Sequence, residues 1–205
     1  MGTAAPDTDY LLRQAAAGDD SARGRLLDRH RDRLKRMVAV RADPRLAARV
    51  DSSDVVQEAL TDAAHKLDRY LTARPLPFYP WLRKLALERL AQLHRRHVQA
   101  GRRSVTREEA RMDLSSRSAV ELAERLFARQ SGPHMRLQRA ELQSRVRSAL
   151  AALKDADREL LILRHLEGLP AKEIAAILGV SEGAVNTRHV RALQRLRELL
   201  GDASD

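Results

Sequence analysis

Apolar residues recur at intervals of three and four along almost the whole chain, and no segment alternates apolar and polar residues as a surface strand does. Alanine, leucine, arginine and glutamate, which are favourable residues in helix interiors, make up much of the sequence. The predicted fold class is therefore all-α. The chain has 205 residues, 43% of them hydrophobic, which is enough for two small helical domains with a core each.

Prolines, glycines and capping residues divide the chain into predicted helices. In the N-terminal half we predict helices over 8–17, 21–41, 53–70 and 81–100, with Ser53 as the N-cap of the third. The run 75–80 contains three prolines, which predicts a loop. The C-terminal part has predicted helices over 141–153 and 157–166, closed by Gly168, and then a compact helix pair that ends near Leu200.

The stretch over 104–140 is less regular. A short helix over 118–129 begins with capping-box spacing, and Ser131, Gly132 and Pro133 end it. We therefore expect a first domain over 1–103, a linker with some helical content over 104–140, and a second domain over 141–205.

Composition limits the classes of function. The chain has no cysteine, which excludes disulfide frameworks, thiolate metal sites and cysteine nucleophiles. No apolar run is long enough to cross a membrane, and the N-terminus lacks the pattern of a signal peptide. A cytoplasmic protein with no membrane insertion is expected.

The positive charge is concentrated in one short segment. The net charge is +10, and residues 83–103 hold 7 basic side chains against 1 acidic one, whereas residues 141–205 hold 10 of each. Basic stripes of this density are typical of surfaces that neutralise nucleic-acid phosphates.

The strongest local motif is the run 172–185, which has the pattern of a helix-turn-helix. Ala175 supplies a small residue at the helix crossing, Gly179 the tight turn, and Ser181 a cap for the second helix. Val185, His189, Ala192, Leu196 and Leu199 form an inward stripe on that helix. The residues left outward, which we predict to contact duplex DNA in the major groove, are Asn186, Thr187, Arg188, Arg191 and Arg195.

Aromatic residues precede the basic segment. Tyr70, Phe78, Tyr79 and Trp81 are four of only six aromatics in the chain. Aromatic faces stack on unpaired bases while basic side chains follow the backbone, so the mixture suits single-stranded or melting DNA. The alternative is that the rings are core of a domain short of aromatics, and this is the stronger interpretation for Phe78 and Trp81.

A third surface lies on the helix that begins near residue 53. Val56, Leu60, Ala63 and Leu67 share the face expected to meet the core, and Asp54, Gln57, Glu58 and Thr61 share the opposite face. Such a polar face is usually only solvated, and the residues alone leave a docking role open.

An enzymatic alternative starts from Glu58, Asp62 and His65, whose helical spacing would allow a divalent metal. No second cluster supplies further ligands or a base, and the sequence has no phosphate loop and no nucleophile motif. We therefore expect the chain to have no enzymatic activity, no metal site and no cofactor.

The order of these three surfaces resembles the bacterial sigma factors of the extracytoplasmic-function group, over nearly the whole chain. In that family a region 2 domain and a region 4 domain are joined by a linker. Residues 54–58 are similar to the region 2 segment that docks on core RNA polymerase, at the beta and beta-prime subunits. Residues 80–86 are similar to the tract that opens the minus-ten element, and 153–200, with 167–169 and 173–175, to region 4.

The resemblance assigns roles to residues of this chain. By this resemblance, the residues that dock on polymerase are Asp54, Gln57, Glu58 and Thr61. The residues that contact the minus-ten element are Tyr79, Trp81, Arg83, Lys84, Arg95 and Arg96. The residues that contact the minus-thirty-five element are Ser181, Asn186, Thr187, Arg188, Val190, Arg191 and Arg195. The implied partners are core polymerase, promoter DNA and an anti-sigma factor.

The chain departs from the family at several positions. Leu87 and Glu88 stand where an Arg-Asn pair is usual, Asn186 where a cation is common, and His189 where an aliphatic residue is usual. Promoter preference therefore does not transfer. A conventional helix-turn-helix regulator, with an N-terminal sensing or dimerisation domain, remains the second interpretation.

Overall fold

The structure is a computed structural model that describes residues 7–42, 51–101 and 136–201, together with Ser118, Glu121, Leu122, Arg125 and Leu126. Every regular element in these residues is helical, and the predicted all-α class is confirmed. The chain separates into two compact units, 1–112 and 113–205. The predicted domain limits at 103 and 141 stay predictions, because most residues between them lie outside the described ranges.

The first unit is a helical bundle whose core is aliphatic. Its helices are α1 (Thr8–Ala16), α2 (Asp20–Arg29), α3 (Arg31–Arg41), α4 (Ser52–Ala73) and α5 (Phe78–Gly101). Helix α4 packs against α3 and α5, and α1 packs against α2. The core includes the fully buried side chains of Leu11, Leu26, Leu34, Met37, Leu67, Leu82 and Leu90.

The predicted single helix over 21–41 is wrong, since the chain breaks at His30. The backbone there has φ −98° and ψ −2°, so α2 ends at Arg29 and α3 begins at Arg31. The His30 ring is buried beside Phe78 and Tyr79, with ring centroids 5.4 and 5.7 Å away. No proline or glycine marks this break in the sequence. The contacts that accompany it come from a distant helix, so local residue types did not predict it.

Two helix starts in this unit also differ from the prediction. Asp51, not Ser53, caps α4, because its carboxylate accepts from the Ser53 amide at 2.8 Å. Helix α5 begins at Phe78, inside the predicted loop, and the Trp81 amide donates to the Pro77 carbonyl at 3.1 Å. Pro80 is tolerated because first-turn amides have no partner within the helix.

The second unit carries the helix-turn-helix. Its helices are α6 (Arg136–Ala152), α7 (Asp155–Leu161), α8 (Ala171–Leu178) and α9 (Glu182–Gly201). Helix α6 begins before the predicted residue 141. Helix α9 packs against α6, α7 and α8. The core includes Val146, Leu150, Leu160, Leu161, Leu163, Ile174, Val185 and Leu196.

A π segment, Ile162–Leu166, continues α7. The Glu167 amide donates to the Ile162 carbonyl at 3.0 Å, five residues back, so the turn is wider than an α turn. The predicted regular helix over 157–166 is therefore wrong in type for its second half. Gly168 closes the segment with φ +68°, as expected.

The described residues of the 118–126 stretch are helical. Leu122 and Ser118 are buried, and Arg125 Nη1 donates to the His165 carbonyl at 2.6 Å. This part of the predicted linker therefore packs within the second unit. The remaining residues of 102–135 lie outside those described.

Candidate nucleic-acid interface

The turn of the helix-turn-helix has the predicted geometry. Gly179 ends α8 in the left-handed conformation, with φ +66° and ψ +35°, and its amide donates to the Ala175 carbonyl. Ser181 Oγ accepts from the Ala184 amide at 3.2 Å and so caps α9. The expected turn glycine and serine cap are confirmed.

Helix α9 has one buried and one exposed face. Val185, Ala192 and Leu196 are buried, while His189 and Leu199 are half-buried, which confirms the predicted inward stripe. The expected DNA-facing residues are exposed, namely Ser181, Asn186, Thr187, Val190, Arg191 and Arg195, and Arg188 is partly exposed. The exposed face thus combines amide, hydroxyl, apolar and guanidinium groups.

Two ion pairs restrain arginines of α9. Arg188 Nε lies 3.1 Å from Oδ1 of Asp157, which belongs to the first turn of α7. Arg195 Nη1 lies 3.0 Å from Oε2 of Glu198 on α9 itself. The first pair lines a groove, together with Lys154, Val180, Ala184, Thr187 and Arg191. Sequence reasoning did not identify Asp157 or Lys154, because their proximity to α9 depends on tertiary packing.

A histidine pair connects the π segment to α9. The Nε2 atoms of His165 and His189 are 2.8 Å apart, and the rings stack with centroids 5.1 Å apart. Burial lowers the pKa of His165 to about 4, helped by the charges of His189, Arg164 and Arg125, and burial also lowers the pKa of His189. Both rings are therefore neutral near pH 7, and one Nε2–H donates to the other Nε2.

The aromatic residues near the basic segment are core, which corrects part of the predicted minus-ten surface. Tyr79, Trp81 and Arg83 are 2, 9 and 5% exposed, so their side chains are not free to stack on bases or follow a DNA backbone. Trp81 stacks on Tyr70 at 4.4 Å, and the Arg33 guanidinium lies 3.7 Å from the Tyr79 ring centre. The interpretation of Phe78 and Trp81 as core residues is confirmed.

The remaining basic residues of this predicted surface are exposed. Lys84, Arg95 and Arg96 point away from the core on α5. Arg102 and Arg103, which belong to the same run in the sequence, lie outside the described residues. The exposed cations of α5 form a surface suited to phosphates.

The polar face of α4 is exposed as predicted, and arginines of neighbouring helices hold two of its members. Asp54, Gln57, Glu58 and Thr61 are all exposed. Arg31 Nη1 donates to Gln57 Oε1 at 2.8 Å, and Arg89 Nε donates to Glu58 Oε2. The hydrogen bond from Arg89 lowers the pKa of the Glu58 carboxyl. Arg31 is a member of this site that the sequence did not indicate.

The metal alternative on this helix gains no support. Glu58, its first ligand, is ion-paired with Arg89. Among the described residues, no three histidine, aspartate or glutamate side chains are grouped to share a metal ion. No helix in the described ranges has the length and apolarity needed to span a bilayer.

Comparison with known proteins identifies the family of this chain. Residues 143–196 match the family described as Sigma-70, region 4. The chain is 33% identical over 201 residues to RNA polymerase sigma factor CnrH of Cupriavidus metallidurans, covering 97% of each chain. It is 32% identical over 197 residues to ECF RNA polymerase sigma factor SigD of Mycobacterium tuberculosis, covering 96% of this chain and 85% of SigD. The chain belongs to the extracytoplasmic-function sigma factors.

A solved structure supports the same assignment for this ECF sigma factor. The complex of CnrH with the cytosolic domain of CnrY aligns with a TM-score of 0.52 and 29% identity, covering 97% of this chain and 100% of that chain. The region 4 match begins within α6 and extends over α7, the π segment, α8 and most of α9. The helix-turn-helix of this ECF sigma factor is therefore its region 4 motif.

Proposed function

We propose that this ECF sigma factor binds core RNA polymerase and directs it to promoters, where it recognises and melts DNA. The observation that carries the proposal is the exposed cationic face of α9, set on a helix-turn-helix inside the region 4 match. Because polymerase performs the chemistry, the chain needs no catalytic residue, cofactor or metal, and it acts in the cytoplasm with the polymerase.

Promoter contact is divided between the two units. In the second unit, Asn186, Thr187, Arg188, Val190 and Arg191 read the minus-thirty-five element, with Ser181 and Arg195 at the edges of the reading surface. In the first unit, Lys84, Arg95 and Arg96 contact DNA at the minus-ten element. Tyr79, Trp81 and Arg83 act there only through the packing that holds α5.

Polymerase docking uses the polar face of α4. Its exposed carboxylates and amide suit a partner surface with cations and hydrogen-bond donors, and Arg31 and Arg89 already supply such donors to Gln57 and Glu58 in the free chain. A protein partner of the anti-sigma class is also proposed, by likeness to the complex of CnrH with the cytosolic domain of CnrY.

Run-off transcription tests the proposal. Purified core polymerase is mixed with the chain and a library of promoter duplexes, and the transcripts are sequenced. Specific transcripts should require the chain, and Arg191→Ala should lower promoter binding by roughly 1–3 kcal/mol if that residue reads a base. Specific promoter binding by the chain alone, as a symmetric dimer and without stimulation of polymerase, would instead support the conventional regulator.

A further inference from the structure

Asp157 lies close enough to orient one arginine side chain of the DNA-reading helix. It occupies the first turn of α7, and its Oδ1 is 3.1 Å from Nε of Arg188 on α9. The carboxylate is the more enclosed partner, because its side chain is 24% exposed and that of Arg188 is 42% exposed. Helix α7 packs directly against α9, so the carboxylate approaches the reading helix from a fixed support.

The chemistry of this pair leaves the end of the guanidinium available. Asp157 engages Nε, while Nη1 and Nη2 remain as a two-pronged donor group. Bidentate reading of a guanine requires two such donors in a fixed orientation. A long arginine side chain normally loses rotamer freedom when it binds, and an ion pair formed beforehand removes part of that loss.

The charge of Asp157 has a second effect on DNA. A carboxylate in the groove with Lys154 and Arg191 repels phosphates, and this weakens binding to any duplex regardless of its sequence. Removing it should therefore leave non-specific binding equal or stronger. A residue that only maintained the fold would show the opposite behaviour, since loss of the fold weakens every kind of DNA binding.

We propose that Asp157 is a specificity-determining residue, which positions Arg188 for base reading and opposes non-specific contact. The proposal rests on the proposed promoter-binding function and names a residue outside the reading helix. Its expected signature is a loss of discrimination at one base pair without a loss of affinity for unrelated DNA.

The test uses holoenzyme formed from core polymerase and the full chain, on a pool of promoter duplexes randomised over the minus-thirty-five element. Arg188→Ala first identifies the base pair whose selection depends on that arginine. Asp157→Asn should then lower selection at the same base pair about tenfold, while selection at other positions persists. Adding Asp157→Asn to Arg188→Ala should cause no further loss, because the two act as a unit.

Asp155→Asn is the matched control. Asp155 lies in the same first turn and loses the same charge, but its ion pair, at 2.7 Å, is with Arg158 of α7 itself. It should change neither selection nor binding to an unrelated duplex. Asp157→Glu keeps the charge and should restore part of the selection, which separates positioning from folding if the asparagine variant is unstable.

Three results would overturn the proposal. Selection could be unchanged in Asp157→Asn, it could fall equally in Asp155→Asn, or binding to unrelated duplex could fall together with selection. In each case an intact effect of Arg188→Ala leaves the proposed function standing. A wild-type holoenzyme that selects no minus-thirty-five sequence would overturn the proposed function itself.

Discussion

Gly179 occupies a backbone position that strongly favours glycine. Its φ of +66° is left-handed, although a side chain there would meet nothing within 4 Å. Gly179→Ala should therefore destabilise the chain by about 1–2 kcal/mol through backbone strain alone. Urea unfolding measures the change. Gly183→Ala, in the adjacent helix, is the control and should be neutral or slightly stabilising, because its added methyl group would meet only Ser181 Oγ, at the ordinary contact distance of 4.0 Å.

The histidine pair should make the free energy of unfolding depend on pH. The folded pKa of His165 is about 4, below its ordinary value of 6.5, so the unfolded chain binds the proton more readily. The stability that depends on a neutral His165 ring is fully present above pH 6.5 and is lost as the pH falls towards 4. Because the ring is only half-buried, we expect a loss of about 1–2 kcal/mol over that window.

Unfolding with urea across this pH range tests the pair. Changing His165 and His189 together to leucine should reduce the pH dependence, and part of the remainder should come from His30, whose pKa burial also lowers to about 4. His65→Leu, at an exposed position, is the control. An unchanged pH dependence in the double variant would assign the acid effect elsewhere.

At the scale of elements, the junction of α4 and α5 depends on its aromatic rings. Trp81 is buried against Tyr70, so Trp81→Ala should lower the free energy of unfolding by about 3–5 kcal/mol. Tyr10→Ala, which removes a ring that is 44% exposed in the same unit, should cost about 0.5 kcal/mol or less. Equal costs for the two variants would contradict the core assignment of Trp81.

Helix α4 carries the prediction for polymerase docking. Gln57→Ala combined with Glu58→Ala should weaken binding to core polymerase, while stability changes by about 1 kcal/mol or less, since the groups lost are exposed. Titration of labelled chain with core polymerase measures the affinity. Asp68→Ala removes another exposed, ion-paired carboxylate of α4, whose partner is Arg23, and should leave the affinity unchanged. Equal affinity of the double variant would remove the docking role.

Elements specified by local chemistry could be predicted from the sequence, and elements specified by packing could not. The turn at Gly179 and the cap at Ser181 follow from residue types a few positions apart. The break at His30 and the π segment accompany contacts between distant parts of the chain, which periodicity does not encode.

The same distinction separates the predicted site residues. The outward residues of α9 and the polar face of α4 follow from helical spacing alone. The burial of Tyr79, Trp81 and Arg83 does not follow from helical spacing, because aromatic rings beside a basic run suit both a stacking surface and a core. These residues are buried in a helix that begins early, at Phe78. The sequence did not predict that start, because Pro80 favoured a loop.

For the whole molecule, the net charge of +10 predicts binding to DNA that weakens with salt. Replacing Lys84, Arg95 and Arg96 with alanine should reduce the slope of log affinity against log salt by about 2 on a pre-opened promoter, if each meets one phosphate. Replacing the exposed residues Arg13, Lys66 and Arg69 removes equal charge and is the control. Equal slopes for both triple variants would place the DNA path elsewhere.

The wide turn at Ile162–Leu166 holds one residue more than an α turn would need. Each residue of an α-helix rotates the next side chain by about 100°. A relative that lacks this extra residue would present a different side chain opposite His189. Comparing this chain with such a relative by residue count alone would therefore pair the wrong positions upstream of Gly168, and a one-residue gap in that turn restores the phase.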